Sequence, residues 1–289
     1  MGEIVGAAVV SHVPPIVMGD EVRAELYGAE GTTLVDGLHR LRREKFDQLE
    51  IDTVIVFDSH WFTTVEHILT AHDRREGMFT SSELPRGMSG HHYDMPGDPE
   101  LAIRYEAISN VRDDTRALAC ADPYLPVHYA TTNLLPFLQR DEAWLSMSIC
   151  QTGTPPDWLL AGELLGRAIG ELDRKVVLLA SGGLSHRFWP MREFADHEAA
   201  GLEHIRTPEA RAADERVLAW MQAGDHAAIL DFWPEYRQHA PEAFFAHYLM
   251  MVGALGGRGC TARGELFSAY ESSAGTGQVH VWFDGPFPS

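Results

Sequence analysis

Short, near-continuous apolar runs alternate along this chain with longer stretches of helical periodicity. The runs are Ile4 to Val10, Thr53 to Asp58, Trp144 to Ile149 and Lys175 to Ser181, bounded by turn-forming or polar residues. Continuous apolar character, rather than strict alternation, is what a strand buried on both faces of a sheet requires. Helical patterns cover Thr33 to Leu49, Pro99 to Ser109, Asp157 to Leu172, Glu209 to Ala223 and Glu242 to Leu255. Strands alternating with helices predict an α/β fold, a layered α/β/α sheet with helices on both faces. No repeat, low-complexity tract or linker divides the chain, so residues 1–289 read as a single catalytic-sized domain. The stretch from Arg74 to Pro99 is rich in Gly, Pro and Ser and reads as a long loop over one face, a candidate lid or binding loop.

Composition narrows the classes. With 45% apolar and 22% charged residues the chain is ordinary for a globular protein, and its length suffices to bury a core without disulfides or a structural metal. Twenty-three basic residues against 42 acidic ones give a net charge of −19, which opposes binding to nucleic acid or anionic lipid. There is no apolar run of roughly 18 residues that could span a membrane, and Met1-Gly2-Glu3-Ile4-Val5 lacks the features of a signal peptide. Cys120, Cys150 and Cys260 are odd in number and widely spaced, as expected of reduced thiols in a cytoplasmic protein. The same spacing excludes a cysteine-based zinc site.

Three of the 15 histidines fall just past predicted strands: His12 after Ile4 to Val10, His60 after Thr53 to Asp58, and His186 after Lys175 to Ser181. Ligands of open α/β sheets bind outside the carboxyl ends of the strands, so these imidazoles are candidates to converge. Two imidazoles and one carboxylate, with coordination positions left open, form the facial triad of Fe(II) oxygenases. A further histidine outside that set can carry protons near neutral pH. The pattern alone does not distinguish which two histidines would bind metal, nor whether Asp58 or Glu242 would complete the set. Each histidine would also serve as a turn residue bonded to nearby backbone, and Glu242 as an ordinary acid at a helix N-terminus. Gly182-Gly183 is followed by no phosphate-loop residues, and Ser181 and Ser185 lack the G-x-S-x-G elbow of serine hydrolases. His67, His72 and His91-His92 read as exposed loop and strand-edge residues, and Phe244 to Tyr248 as helix packing.

The segments Ser11-His12-Val13-Pro14, Thr53 through Trp61, Thr80 through Pro85, Leu178 through Phe188, Pro234-Glu235-Tyr236 and Ser273 through Val279 occur in an order that resembles the class III (LigB-type) extradiol dioxygenases. The likeness is strongest to the 3,4-dihydroxyphenylacetate 2,3-dioxygenase branch and extends over essentially the whole chain. It implies Fe(II) as cofactor, with His12, His60 and Glu242 as metal ligands and His186 as the catalytic histidine. It implies ring cleavage of a catechol beside its hydroxyls with O2, giving a muconic semialdehyde, by a protein that forms a homo-oligomer. A carboxylated catechol such as 3,4-dihydroxyphenylacetate entering so acidic a protein needs a local cation, for which Arg187 and Arg86 are candidates. His128 is a further candidate for substrate contact. The rival readings are a zinc-dependent hydrolase or lyase on the same scaffold and a non-enzymatic interaction protein of the same superfamily.

Overall fold

Side chains on the central strands are buried alternately into two different cores, which defines three layers. The computed structural model describes residues 1–28, 31–285 and 287. Its strands are β1 (Glu3–Val10), β2 (Thr53–Thr63), β3 (His67–Thr70), β4 (Arg74–Thr80), β5 (Ser89–Pro96) and β6 (Ala117–Cys120). They continue with β7 (Ala143–Cys150), β8 (Lys175–Ser181), β9 (Gly264–Leu266), β10 (Glu271–Ser273), β11 (Thr276–Gln278) and β12 (Val281–Asp284). The helices are α1 (Asp20–Tyr27), α2 (Leu34–Glu44), α3 (Pro99–Ser109), α4 (Tyr129–Thr132), α5 (Leu135–Leu138), α6 (Pro155–Gly170), α7 (Pro208–Ala223), α8 (His226–Tyr236) and α9 (Ala246–Ala254).

The main sheet has the order β6-β3-β7-β2-β8-β1-β12-β9. Its centre, β7-β2-β8-β1, is parallel, so the carboxyl ends of these strands share one side of the molecule. β3 is antiparallel to β7, while β12 is antiparallel to both β1 and β9. Ala7, Val9, Ile55, Phe57, Leu178 and Ala180 face a core built with α3, α6, α7, α8 and α9. Ala8, Val10, Val54, Val56, Val177 and Leu179 face the other, with α2 and α5. Period-two alternation between two dry layers explains why these strands read as continuous apolar runs. Each fully buried branched side chain contributes about 1.5–3 kcal/mol, so the sheet centre is the firm base from which the loops at its carboxyl end project.

The β8 and α3 bounds match the predicted ones, and α6 and α7 start slightly earlier than predicted because caps define their ends. Thr154 and Asp157 form a capping box ahead of α6, and the Thr207 side chain accepts from Ala210 N ahead of α7. The predicted helix Thr33 to Leu49 is α2 followed by a short 3-10 turn at Phe46–Gln48. Three expectations are corrected. β2 continues to Thr63 across a register shift between Phe57 and Phe62, so His60 lies within the strand rather than beyond it. Arg74 to Pro99 is a two-stranded hairpin, β4 paired with β5 from Arg74↔Pro96 to Thr80↔Ser89; its strands are exposed along much of their length, so they carry no apolar run. The helix expected from Glu242 begins only at Ala246, after a left-handed turn described below. His67 is also not exposed: it is buried in β3, and burial pushes its imidazole down to about 4. No helix among the described residues is long and apolar enough to cross a membrane.

α9 is pressed against α6 through glycine. A Cβ on Gly162 would stand 1.8 Å from the Met250 carbonyl oxygen, and one on Gly253 would stand 2.2 Å from that of Leu159. Gly162→Ala therefore forces the helices apart and is expected to lower stability by about 1–3 kcal/mol, the usual cost of overpacking a dense interior. Urea denaturation measures it, and an unchanged midpoint would mean that the two backbones are not in contact.

Candidate functional site

His12 follows β1 by two residues, and Ser181 ends the neighbouring strand β8. Beyond Ser181 the chain turns through Gly182-Gly183 to His186, and this loop is paired with the segment that carries Glu242. Ser185 and Pro241 form an antiparallel bridge, flanked by His186 N donating to the Ala240 carbonyl and Glu242 N donating to the Leu184 carbonyl, both at 3.0 Å. Glu242 is then followed by three non-glycine residues in the left-handed region: Ala243, Phe244 and Phe245, with φ of 46°, 60° and 65°. Such conformations cost roughly 1–2 kcal/mol per residue and concentrate where function requires them. Here aromatic packing offsets the strain. Phe244 stacks on Trp158 at 6.0 Å and its carbonyl accepts from Trp233 Nε1, while Phe245 stacks on Tyr248 at 4.5 Å and meets Tyr236 edge-on at 5.1 Å.

The turn delivers a buried carboxylate among three imidazoles. Glu242 Oε1 lies 3.4 Å from both His12 Nε2 and His60 Nε2, and its Oε2 lies 3.5 Å from His186 Nε2. Ser59 Oγ and the Gly183 N–H also donate to it. Burial by itself would raise the Glu242 carboxyl, but the charges of His186 and His12 and hydrogen bonds from His12 and His60 hold it well below the usual carboxylate range. One ligand atom each from His12, His60 and Glu242 lie within 4.8 Å of one another, a spacing at which they could hold a metal ion.

The tautomers are set from behind. Ser181 Oγ donates to the Ala130 carbonyl at 2.6 Å, so toward His12 Nδ1, 2.9 Å away, it can only accept. Nδ1 of His12 therefore carries a proton, which leaves Nε2 as the ring atom directed at Glu242. Nδ1 of His60 lies 3.2 Å from Glu83 Oε1, which keeps a proton on that nitrogen, so it is Nε2 that a metal would take. An outer carboxylate or hydroxyl that orients a metal-binding imidazole in this way is usual for such sites. In the metal-free protein burial lowers the His60 imidazole, yet hydrogen bonds to Glu242 and Glu83 prevail and push it up to about 10. His186 behaves oppositely. Burial lowers its imidazole, and the opposing charge of Glu242 does not restore it.

These groups open onto a cavity of about 370 Å³, large enough for a single aromatic ring by the usual range of small-molecule sites. Val13, Pro14, Leu84 and Phe188 supply apolar wall, and Tyr129, Glu83 and Glu198 polar wall. The expected residues His12, His60, Glu242 and His186 are thus brought together. Asp58 is not: it is fully buried, accepting from His60 N at 3.0 Å and Thr131 Oγ1 at 2.7 Å. Nor is His128 on the described cavity wall; its ring is stacked 6.2 Å from Trp61, with Nε2 buried and without a partner among the described residues. Arg187 is exposed and donates to the Gln238 carbonyl, and Arg86 is exposed on the hairpin connection; neither lines the cavity among the described residues. Sequence reasoning missed Tyr129. Its ring centroid lies 3.9 Å from that of His60, its hydroxyl donates to Glu83 Oε2 at 3.1 Å, and burial raises its phenol far above the ordinary range. Its neighbour His128 does not line the described cavity, because His128 has extended dihedrals and successive side chains there point apart.

A match to the family described as "Catalytic LigB subunit of aromatic ring-opening dioxygenase" spans residues 6–284. The chain belongs to the LigB family. It is 30% identical over 263 residues to a 3,4-dihydroxyphenylacetate 2,3-dioxygenase of Escherichia coli, covering 89% of this chain and 91% of that one. It is 24% identical over 252 residues to a 2-aminophenol 1,6-dioxygenase beta subunit of Pseudomonas sp, covering 83% and 81%. Among solved structures it resembles an uncharacterized protein, JW3007, of Escherichia coli K12, with a TM-score of 0.62 at 17% identity over 96% of this chain and 99% of the other. That last likeness bears on fold alone. It agrees with the layered α/β architecture predicted from the alternation of strands and helices.

A second buried carboxylate holds the loop of His186. Asp214 accepts from Ser185 N at 3.0 Å, Ser185 Oγ at 2.6 Å, Tyr236 OH at 2.8 Å and Tyr270 OH at 2.6 Å. Burial pushes its carboxyl up to about 6 despite these donors. Asp214→Ala strands buried donors on Ser185, Tyr236 and Tyr270, at about 1–3 kcal/mol for each unsatisfied group. A loss of roughly 3 kcal/mol or more is expected in chemical denaturation, with Asp214→Asn less damaging because an acceptor remains. Equal midpoints for Asp214→Ala and the parent would show that this network does not anchor the loop.

Proposed function

We propose that residues 1–289 form one catalytic domain that opens the ring of a catechol beside its hydroxyls, using O2 and an Fe(II) ion held by His12, His60 and Glu242. The observation that supports this most is the convergence of two Nε2 atoms and one carboxylate on the cavity of a LigB-family chain. Two neutral imidazoles with one anion suit Fe(II) and leave coordination positions on one face. When bound there, iron supplies a template for diol and O2 and a path for electrons between them.

The chain's own contribution is geometry and proton handling. Ser181 and Glu83 keep the Nε2 atoms of His12 and His60 aimed at the site, and Ser59 and Gly183 keep the Glu242 carboxylate in place. A fixed array of this kind removes the cost of assembling ligands at each turnover. His186, depressed by burial, is neutral near pH 7 and can accept a proton from an incoming hydroxyl. The protonated imidazole would be stabilised by Glu242 at 3.5 Å and could return its proton later in the cycle. Val13, Pro14 and Phe188 supply apolar wall for the ring to pack against. The relatives' names pair one anionic ring, 3,4-dihydroxyphenylacetate, with one uncharged ring, 2-aminophenol. The first of these names favours a carboxylated ring, but the cation expected at Arg187 or Arg86 is not on the described cavity wall.

Anaerobic loading with Fe(II), followed by a catechol panel in air with oxygen uptake and a yellow product as readouts, tests the reading. Zinc retention with no oxygen uptake would instead support a hydrolase or lyase. His12→Ala and His60→Ala are expected to lose the metal and all turnover; full metal content with normal rates in either would remove that residue from the ligand set. His186→Gln is expected to keep the metal and the bound diol but to lower kcat by roughly 10²–10⁴. Loss of metal from His186→Gln would make His186 a ligand instead.

A further inference from the structure

Apart from its histidines, the cavity wall carries acid and no basic side chain among the described residues. Glu83 and Glu198 line it, and among the described residues no lysine or arginine does. The two acids are not equivalent. Both oxygens of Glu83 are engaged, one with His60 Nδ1 and one with Tyr129 OH, so its charge serves the metal end. Glu198 is half-buried and makes no side-chain hydrogen bond or ion pair with any described residue. It directly follows the 3-10 turn Phe194–His197, whose Phe194 lines the same cavity with Phe188 and Leu26. Burial raises its carboxyl above the usual range, the mark of a charge short of solvent and of a partner. Three arginines close in sequence to cavity-lining residues are engaged elsewhere. Arg23 donates to the Ile16 and Met18 carbonyls and pairs with Asp20, Arg187 donates to the Gln238 carbonyl, and Arg206 lies 4.3 Å over the Trp189 ring.

Glu198 and the metal-ligand set line one cavity, so a ring at the metal end has this wall within the same enclosure as its substituent. A carboxylate there would meet Glu198, with no described lysine or arginine on the wall to offset it, and like charges in a poorly solvated cavity repel strongly. An ammonium would find Glu198 as an unengaged acceptor, and charge-assisted hydrogen bonds are the stronger kind. Apolar wall at Leu26, Phe188 and Phe194 would pack against a short alkyl stem.

Resting on the catechol reading above, we propose that Glu198 reads the ring substituent and that the cavity prefers catechols bearing an ammonium side chain over neutral ones, and neutral ones over carboxylated ones. Glu198 is a specificity-determining residue in this account. It takes no part in the chemistry of the ring.

The test uses the Fe(II)-loaded protein with three probes of similar shape: 3,4-dihydroxyphenethylamine, 4-methylcatechol and 3,4-dihydroxyphenylacetate. In air, kcat/KM is expected to fall in that order, with about tenfold between charged and neutral members for one charge-assisted contact. The spread should narrow as salt is raised, since a half-buried contact is partly screened. Glu198→Gln should reduce the ammonium-to-neutral ratio about tenfold, and Glu198→Asp should retain part of it. Calorimetric binding of the same probes under nitrogen reads the same order without turnover. If no probe is opened in air, the dioxygenase reading falls while the binding order still decides this proposal. A carboxylated probe that binds or reacts at least as well as the ammonium one would overturn the proposal. So would an ammonium preference left intact in Glu198→Gln, because the selecting charge would then lie elsewhere.

Discussion

A carboxylate buried at 6% exposure, within 3.5 Å of three imidazoles, is the constraint on which the rest of this structure turns. An isolated charge so far from water is unstable unless it is paired and hydrogen-bonded. Glu242 is both, and its partners come from separate parts of the chain: His12 after β1, Ser59 and His60 on β2, and Gly183 and His186 after β8. Removing the carboxylate would leave those imidazoles facing one another, so the strands' carboxyl ends are held in register partly by this one charge. A divalent cation among His12, His60 and Glu242 would take over the role that the proton on His60 fills in its absence, which is why ligand sets of this kind couple metal binding to proton release.

Placing that carboxylate demands unusual backbone, and the demand propagates outward. Ala240 and the run Ala243 to Phe245 adopt positive φ without glycine's freedom, and the aromatic contacts to Trp158, Tyr236 and Tyr248 make the strained turn the best available state. Glycine appears instead where backbones must touch. Gly162 and Gly253 let α9 lie directly on α6, and Gly277 leaves room for Asp214, whose Oδ2 would be 2.2 Å from a Cβ at that position. Asp214 in turn grips Ser185, which bridges to Pro241 beside Glu242. Packing far from the cavity and polar contacts close to it thus restrain the same short segment.

The parts of the fold legible in the sequence are those in which one physical signal dominates. β1, β7 and β8 are buried on both faces, so apolar content alone reveals them; α3, α6 and α7 carry caps and periodicity. The latter half of β2 is hidden because Ser59 and His60 are polar for the sake of the site, and the hairpin β4–β5 because water covers much of it. Nothing local could announce the turn after Glu242, since Ala and Phe do not favour left-handed dihedrals and tertiary contacts impose them. At the site, strand ends pointed to His12 and His186, while the choice of Glu242 over Asp58 came from resemblance and not from pattern. In the structure the difference is which way the carboxylate faces: Asp58 binds Thr131 behind the strand. Neighbours along a non-helical chain diverge, which is why Tyr129 rather than His128, and His186 without Arg187, face the cavity.

Net charge explains less about substrate than it first suggests. A total of −19 sets the long-range field, but beyond roughly 8–10 Å that field is screened at ordinary salt. What a bound ring experiences is the local wall, and there the sign depends on which side chains are already engaged. Glu83 is bound on both oxygens and Glu242 lies among imidazoles, so neither presents an uncommitted charge to the substituent. Glu198 does. An acidic protein could still bind an anionic ring by setting one arginine at the wall, as a single charge-assisted contact of about 1.5–3 kcal/mol outweighs a screened average field. The described wall of this chain lacks that arginine and carries a spare carboxylate instead, so here the local and the global fields have the same sign and both act against an anionic substituent.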